Sequence, residues 1–213
     1  MSAAVRVGVL ASGRGSNFES LLGASRDGTL GAQVVCLVCD NPQAGALAIA
    51  SGADVPAMVV DPGSRRARLA PEVEERIVGA LRKHGVQLVC LAGFMRIVGP
   101  TLLAAFPGAI LNIHPSLLPS FPGLDAQAQA LAHGVKVSGC TVHFVDAGVD
   151  SGPIVLQEAV EVLDGDTPQT LAARILEHEH RIYPRAVRLW ATGRLEIRGR
   201  RVHIRPASPT PAD

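Results

Sequence analysis

The sequence carries no excess charge of either sign: 20 lysines and arginines stand against 19 acidic side chains, a formal net charge of +1 over 213 residues. A balanced chain has no electrostatic footprint for a polyanion, so neither nucleic acid nor an anionic membrane is expected as a partner. A small anion is different, because a few local cations and a helix end suffice to hold it. Long apolar runs are also missing; none approaches the roughly 20 residues that span a bilayer. The amino terminus, Met1-Ser-Ala-Ala-Val-Arg6, runs straight into an apolar strand without the basic and apolar regions of a cleaved leader. The expectation is a soluble cytoplasmic protein with no membrane association.

Cysteine is scarce, with four in the chain. Cys36 and Cys39 form a C-x-x-C inside Val34-Val-Cys-Leu-Val-Cys39, which reads as a buried strand. On a strand, positions i and i+3 point to opposite faces, so these two thiols cannot chelate one ion. No second pair with ligand spacing follows, and Cys90 and Cys140 lie in apolar strand-like runs. All four read as buried reduced thiols acting as small hydrophobes, and no metal is expected.

Apolar residues are abundant: 47% of the chain is hydrophobic, ample for a core in a length that suits one domain. Strands and helices alternate along it. Residues 5–11 form an apolar strand ending in Ser12-Gly-Arg-Gly-Ser-Asn17, with a helix following to about residue 26. Strands at 34–40, 57–61, 86–92 and 109–113 are interleaved with helices at 44–53 and 64–84. Such continuous apolar runs mark strands covered on both faces, as in a parallel sheet between helices. Residues 137–145 and 153–162 are strand-like and joined by a short segment, which permits an antiparallel return because a parallel crossover needs a dozen or more residues. A long helix at 167–192 takes Asp166 or Thr167 as cap and Pro168 near its first turn. Residues 194–204 read as a hairpin. The expected fold is a single α/β doubly wound, Rossmann-like domain over residues 1–205, with a mostly parallel sheet, an antiparallel strand pair in the C-terminal half and helices on both faces. Residues 206–213 are expected to be an exposed Pro-rich tail.

In such sheets ligands bind at the carboxyl ends of the strands, near the point where strand order reverses. Three segments there carry unusual chemistry. Ser12-Gly-Arg-Gly-Ser-Asn17 lacks the Gly-Lys-Ser/Thr ending of a nucleotide loop and the third glycine of a dinucleotide fingerprint, and fits a single phosphate; its other reading is a helix cap by Ser16 or Asn17. Asn112-Ile-His114-Pro115 places an amide and an imidazole two residues apart on a strand end, so both side chains face one side. Pro115 pushes His114 toward extended geometry. An amide donor beside an imidazole suits a tetrahedral acyl-transfer intermediate, Asn112 donating to the oxyanion and His114 shuttling a proton or stabilising the charge. Asp146-Ala-Gly-Val-Asp150-Ser-Gly-Pro153 offers a carboxylate, Asp150, to orient His114 and raise its pKa; its other reading is an Asx-turn between strands.

Asn112-Ile-His-Pro-Ser-Leu-Leu-Pro119, Phe121-Pro-Gly123, Val142-His-Phe-Val145 and Asp150-Ser-Gly-Pro153 together resemble the formyltransferase family that uses 10-formyltetrahydrofolate. Gly13-Arg-Gly-Ser-Asn17, Leu91-Ala-Gly-Phe-Met-Arg-Ile97 and Glu179-His-Arg-Ile-Tyr-Pro184 look like its glycinamide ribonucleotide branch, and the match runs from about residue 5 to 195. The resemblance implies formyl transfer from 10-formyltetrahydrofolate to the amine of 5'-phosphoribosylglycinamide in purine (IMP) biosynthesis, by a monomer or homodimer. The alternative is a 10-formyltetrahydrofolate hydrolase. It implies Asn112, His114 and Asp150 as the catalytic trio, Gly15, Ser16 and Asn17 on the substrate phosphate, and Glu179 on the ribose. It further implies that Met95, Arg96, Ile97 and Val98, with Asp146, Ala147, Gly148, Val149, Asp150 and Asn112, enclose the folate pterin. An arginine reaching the folate is expected from Arg65, Arg66 or Arg68, with Arg68 preferred. Asp125 departs from the family pattern, which often has histidine there. A cis bond at Leu118-Pro119 would fit the family.

Overall fold

In a computed structural model of the chain, which describes residues 4–62 and 68–206, the sheet is built around two consecutive parallel units. Strand β1 (Val5–Ala11) leads through α1 (Ser16–Arg26) to β2 (Ala32–Cys39), then through α2 (Gly45–Gly52) to β3 (Ala57–Val59). Helix α3 (Pro71–Lys83) leads to β4 (Leu88–Leu91), and α4 (Pro100–Ala105) to β5 (Ile110–His114). After α5 (Ala126–Ala132) come β6 (Val137–Phe144), β7 (Ile154–Glu161), α6 (Pro168–Ala191), β8 (Leu195–Arg198) and β9 (Arg201–Ile204). Among the described residues the strand order is β3-β2-β1-β4-β5-β6-β7-β9-β8. Order reverses between β1 and β4, so the two flanking loops diverge there and leave a crevice.

Strands β1 to β5 pair in parallel, whereas β6 pairs antiparallel with both β5 and β7. The register sets Asn112 opposite His143 and His114 opposite Thr141. The apolar strands bury both faces, giving one core against α1, α2 and α6 and a second against α3 and α4. Cys36 belongs to the second core and Cys39 to the first, on opposite faces as their spacing requires. Burial pushes both thiols up to about 11.

The helix expected over 64–84 begins at Pro71; within the described part, Arg68 instead forms a backbone bridge with Ile97, and residues 64–67 lie outside the described residues. Proline is favoured at the first helical position because its missing N–H has no intrahelical partner there. Glu72 and Glu74 in the first turn, and Arg82 and Lys83 in the last, complement the helix dipole. Two short helices, α4 and α5, were not expected from the sequence. Helix α4 depends on a remote cap: the buried Glu74 carboxylate accepts the N–H groups of Gly99 and Thr101. The C-terminal hairpin forms as expected and joins the sheet through Arg201 beside Ile154. Of the expected tail, only Pro206 lies within the described residues.

Helix α6 begins with Thr167 as N-cap in a capping box with Thr170, and Pro168 follows. Its Tyr183 is fully buried and donates its hydroxyl to the carbonyls of Leu91 and Leu111, at 2.9 and 3.0 Å. One side chain thereby ties the end of β4 to the first part of β5. Tyr183→Phe is expected to lower stability by about 1 kcal/mol, read as a fall of about 2–4 °C in the thermal midpoint.

Candidate active site

A cavity of about 560 Å³ lies at the carboxyl ends of β1, β4 and β5. The segment after β1 contributes Ser16 and Asn17, and the loop after β4 contributes Met95, Arg96, Ile97 and Val98. Asn112 and His114 enter from β5, and Glu179 from α6. The loop between β6 and β7 contributes Asp146, Gly148, Val149 and Asp150. Three expected residues stand outside the wall. Gly15 is buried and not part of it, Ala147 sits exposed at a bend, and Arg68 meets the cavity loop through the backbone bridge to Ile97. Arg65 and Arg66 lie outside the described residues.

Asn112, His114 and Asp150 meet at the cavity floor. Asp150 Oδ2 lies 3.4 Å from His114 Nδ1 and accepts the Gly123 N–H at 2.8 Å. Its Oδ1 accepts from Asn112 Nδ2 at 3.4 Å and lies 3.7 Å from His143 Nε2. Asp150 holds a left-handed backbone, φ 49°, which aspartate tolerates better than most residues. Burial alone would raise its carboxyl, but His143, the Gly123 N–H and His114 hold it below the usual carboxylate range.

His114 Nε2 sits 2.8 Å from the Phe121 carbonyl, which can only accept, so the proton of the neutral ring is on Nε2. Nδ1 is left facing the Asp150 carboxylate. Burial lowers the His114 pKa below its ordinary value, opposed by Asp150 and the Phe121 carbonyl. The resting ring is therefore neutral at pH 7, with an open proton position beside a carboxylate. The contact fits the expectation that Asp150 orients His114, and Asp150 pulls the imidazole pKa up as expected, but desolvation of the buried ring outweighs that pull and the net shift is downward.

His143 carries no role in the reading from sequence, yet completes the cluster. Its Nδ1–H donates to the Phe144 carbonyl at 2.8 Å, which leaves Nε2 to accept from Asn112 Nδ2 at 3.1 Å. Both Asn112 amide hydrogens are thus directed, one firmly at His143 and one loosely at Asp150. The sequence signals for His143 are a polar residue inside the run 137–145 and its place in the segment Val142-His-Phe-Val145. Only the antiparallel register shows that it adjoins Asn112.

At the other end of the cavity, helix α1 starts from Gly15 in the left-handed conformation, φ 88°, with no side-chain cap bond. Neither Ser16 nor Asn17 serves as the cap, so the first-turn N–H groups and the positive dipole end are left for an anion. Gly15 is required twice over: a Cβ there would lie 2.7 Å from the Cα of Ala46, and its φ disfavours other residues. Gly15→Ala is expected to destabilise the fold by about 2 kcal/mol, measured by urea unfolding. Asn17 Nδ2 donates to Glu179 Oε2 at 2.7 Å, and both side chains are buried. Asn17 Oδ1 is buried with no hydrogen-bond partner, an acceptor that a bound hydroxyl or amine would satisfy. Burial raises the Glu179 carboxyl to about 7, against the pull of Asn17.

Besides the bridge at Ile97, the loop after β4 is fastened through Met95 and Arg96. The Met95 N–H donates to Ser12 Oγ at 2.9 Å, and Arg96 Nε donates to Asp40 Oδ2 at 2.5 Å. Asp40, at the end of β2, is a buried carboxylate with no role in the reading from sequence. Asp146 accepts the Gly148 N–H and the Ser151 hydroxyl at 3.1 and 2.6 Å, an Asx-turn that presents Asp150 to the cavity. Gly152 lies so close to the Phe144 carbonyl that no Cβ fits. Asp125, φ 55°, lines the cavity mouth at the start of α5, and the Leu118-Pro119 bond is cis.

Comparison with known proteins places this arrangement. A formyl transferase family model matches residues 5–187. The chain belongs to the formyl transferase family. It is 47% identical over 209 residues to a phosphoribosylglycinamide formyltransferase of Mycobacterium tuberculosis, covering 95% of each chain. To the enzyme of that name from Bacillus subtilis it is 45% identical over 180 residues, 84% of this chain and 91% of that one. The crystal structure of glycinamide ribonucleotide transformylase 1 from Symbiobacterium toebii superposes with a TM-score of 0.91 at 53% identity, over 95% of each chain. Moving a formyl group passes through a tetrahedral carbon bearing a negative oxygen, so a formyl transferase needs a hydrogen-bond donor at that oxygen and a carrier for the proton shed by the acceptor. Asn112 and the His114–Asp150 pair are groups of those two kinds, within 3.4 Å of one another.

Proposed function

We propose that the protein transfers the formyl group of 10-formyltetrahydrofolate to the amine of 5'-phosphoribosylglycinamide, a cytoplasmic step of purine (IMP) biosynthesis. The observation that carries this reading is the Asn112–His114–Asp150 cluster standing between two dissimilar half-sites. One is the uncapped start of α1 beside Glu179, suited to a phosphoribosyl group. The other is the pair of loops 95–98 and 146–150, which offers backbone edges to a flat heterocycle.

In this reading Gly15, Ser16 and Asn17 hold the phosphate through N–H groups, and Glu179 accepts from the ribose hydroxyls. Met95 to Val98 and the 146–150 loop hold the pterin, with Arg68 beside them toward the distal part of the folate. The neutral amine attacks the formyl carbon, whose carbonyl oxygen becomes an oxyanion. Asn112 turns its loosely held N–H from Asp150 to that oxyanion and keeps the other on His143. The proton shed by the amine is taken up between His114 Nδ1 and Asp150 Oδ2, and His114 so charged also stabilises the oxyanion. Collapse breaks the carbon–nitrogen bond to the folate, and the stored proton passes to the leaving nitrogen. A hydrolase needs the same trio but has no use for Glu179 and the α1 terminus, because water brings neither phosphate nor ribose.

The test is folate release from 10-formyltetrahydrofolate by purified protein, with and without phosphoribosylglycinamide. Release that requires the amine and yields formylated product supports the transferase. Release in its absence establishes a hydrolase, and no release in either case sinks both readings.

A further inference from the structure

We infer that Ser20 and Pro184 form a latch between α1 and α6 that sets the spacing of Asn17 and Glu179, and so positions the phosphoribosyl half-site without touching the substrate. The inference rests on the proposed function, which assigns Asn17 and Glu179 to that substrate. Pro184 lies inside α6, away from the first turn where proline is tolerated. It has no N–H for the carbonyl of His180, one turn earlier, and its ring crowds that carbonyl outward. The hydroxyl of Ser20 on α1 takes the freed position, donating to the His180 carbonyl at 3.0 Å.

The geometry links this contact to the cavity. Ser20 is three residues after Asn17, on the same face of α1, and His180 follows Glu179 directly. One turn of α1 therefore meets one turn of α6 through two hydrogen bonds: Ser20 to His180 outside the cavity and Asn17 to Glu179 at 2.7 Å in its wall. Ser20 and Pro184 are absent from that wall. The α1 N-terminus and the α6 carboxylate must address two ends of one rigid phosphoribosyl group, so a small slide of one helix on the other spoils both contacts at once. The core packed around these helices is apolar and does not by itself fix that slide.

The test is steady-state kinetics with each substrate varied separately, on wild type, Ser20→Ala, Ser20→Thr, Pro184→Ala and the Ser20→Ala/Pro184→Ala double variant. Ser20→Ala and Pro184→Ala are each expected to raise KM for phosphoribosylglycinamide about tenfold while KM for 10-formyltetrahydrofolate stays within about twofold. Ser20→Thr, which keeps the hydroxyl, restores the wild-type value. The double variant is no worse than either single one, because both changes act on one carbonyl. Pro184→Ala also raises the thermal midpoint, since it returns a helix hydrogen bond, so weaker substrate binding there cannot be a folding defect. It keeps the test decisive even where Ser20→Ala fails to fold. A wild type that saturates with both substrates, beside folded variants with unchanged KM or with both KM values raised alike, overturns the latch alone. A wild type that does not saturate with phosphoribosylglycinamide overturns the parent reading and the latch with it.

Discussion

Asp150→Asn is expected to lower turnover at least about a hundredfold, roughly 3 kcal/mol in the barrier, while the protein stays folded. Asparagine is the informative replacement. It tolerates the left-handed backbone at position 150, and its amide oxygen can still accept the Gly123 N–H that holds the loop. What it removes is the negative charge facing His114 Nδ1 at 3.4 Å. Without that charge the buried imidazole loses the larger of the two groups that offset its desolvation, leaving only the Phe121 carbonyl, and the proton shed by the amine loses its resting place. His114→Ala is expected to cost at least as much, because it deletes the proton carrier itself. Measuring kcat beside the thermal midpoint decides the matter. A folded Asp150→Asn protein within threefold of wild-type turnover would remove Asp150 from the chemistry.

Glu179→Gln is expected to stabilise the protein and weaken its substrate binding together. The buried carboxyl has a folded-state pKa of about 7, against 4.5 for the ordinary group. An acid with its pKa raised by folding adds its full stability below the unfolded value and loses it as pH climbs through the folded one. The penalty thus grows between about pH 4.5 and 7 and reaches at most about 3 kcal/mol above that, at 1.36 kcal/mol per unit. Gln has no charge to bury and keeps an oxygen to accept from Asn17. At pH 8 the variant should unfold several degrees higher than wild type, and at pH 5 the two should nearly coincide. Its KM for phosphoribosylglycinamide should rise at least about tenfold at pH 8, where the wild type offers a charged acceptor to the ribose hydroxyls. A stability difference that does not change between pH 5 and pH 8 would show that Glu179 does not titrate in this window. An unchanged KM would take the ribose away from it. The burial of an acid at a destabilising position is the kind of compromise that function, rather than stability, retains.

Composition and order along the chain made the parallel core legible. The runs at 7–11, 34–39 and 88–91 carry no charged or polar side chain because both faces are covered, and that signal survives without tertiary information. Asn112 and His114 were visible for the same local reason, since a strand sets residues two apart on one side. The ends of elements were less legible. The helix expected from residue 64 starts at Pro71, because Arg68 is drawn into a bridge with Ile97, a partner 29 residues away that no local window contains. Helix α4 was missed because its cap is supplied by Glu74 from another helix.

The sequence by itself determined the fold class, the strand ends that would carry chemistry and the polar residues placed there, because periodicity and turn chemistry act over a few residues. Only the tertiary structure decided which of those residues act together. It brought His143 beside Asn112 through an antiparallel register and turned the Asx-turn of Asp146 so that Asp150 faces His114. It also buried Glu179 against Asn17, a pair 162 positions apart. These are contacts between distant segments, fixed by how helices and strands pack, and their effects on protonation come from burial and from neighbours that a linear pattern does not contain.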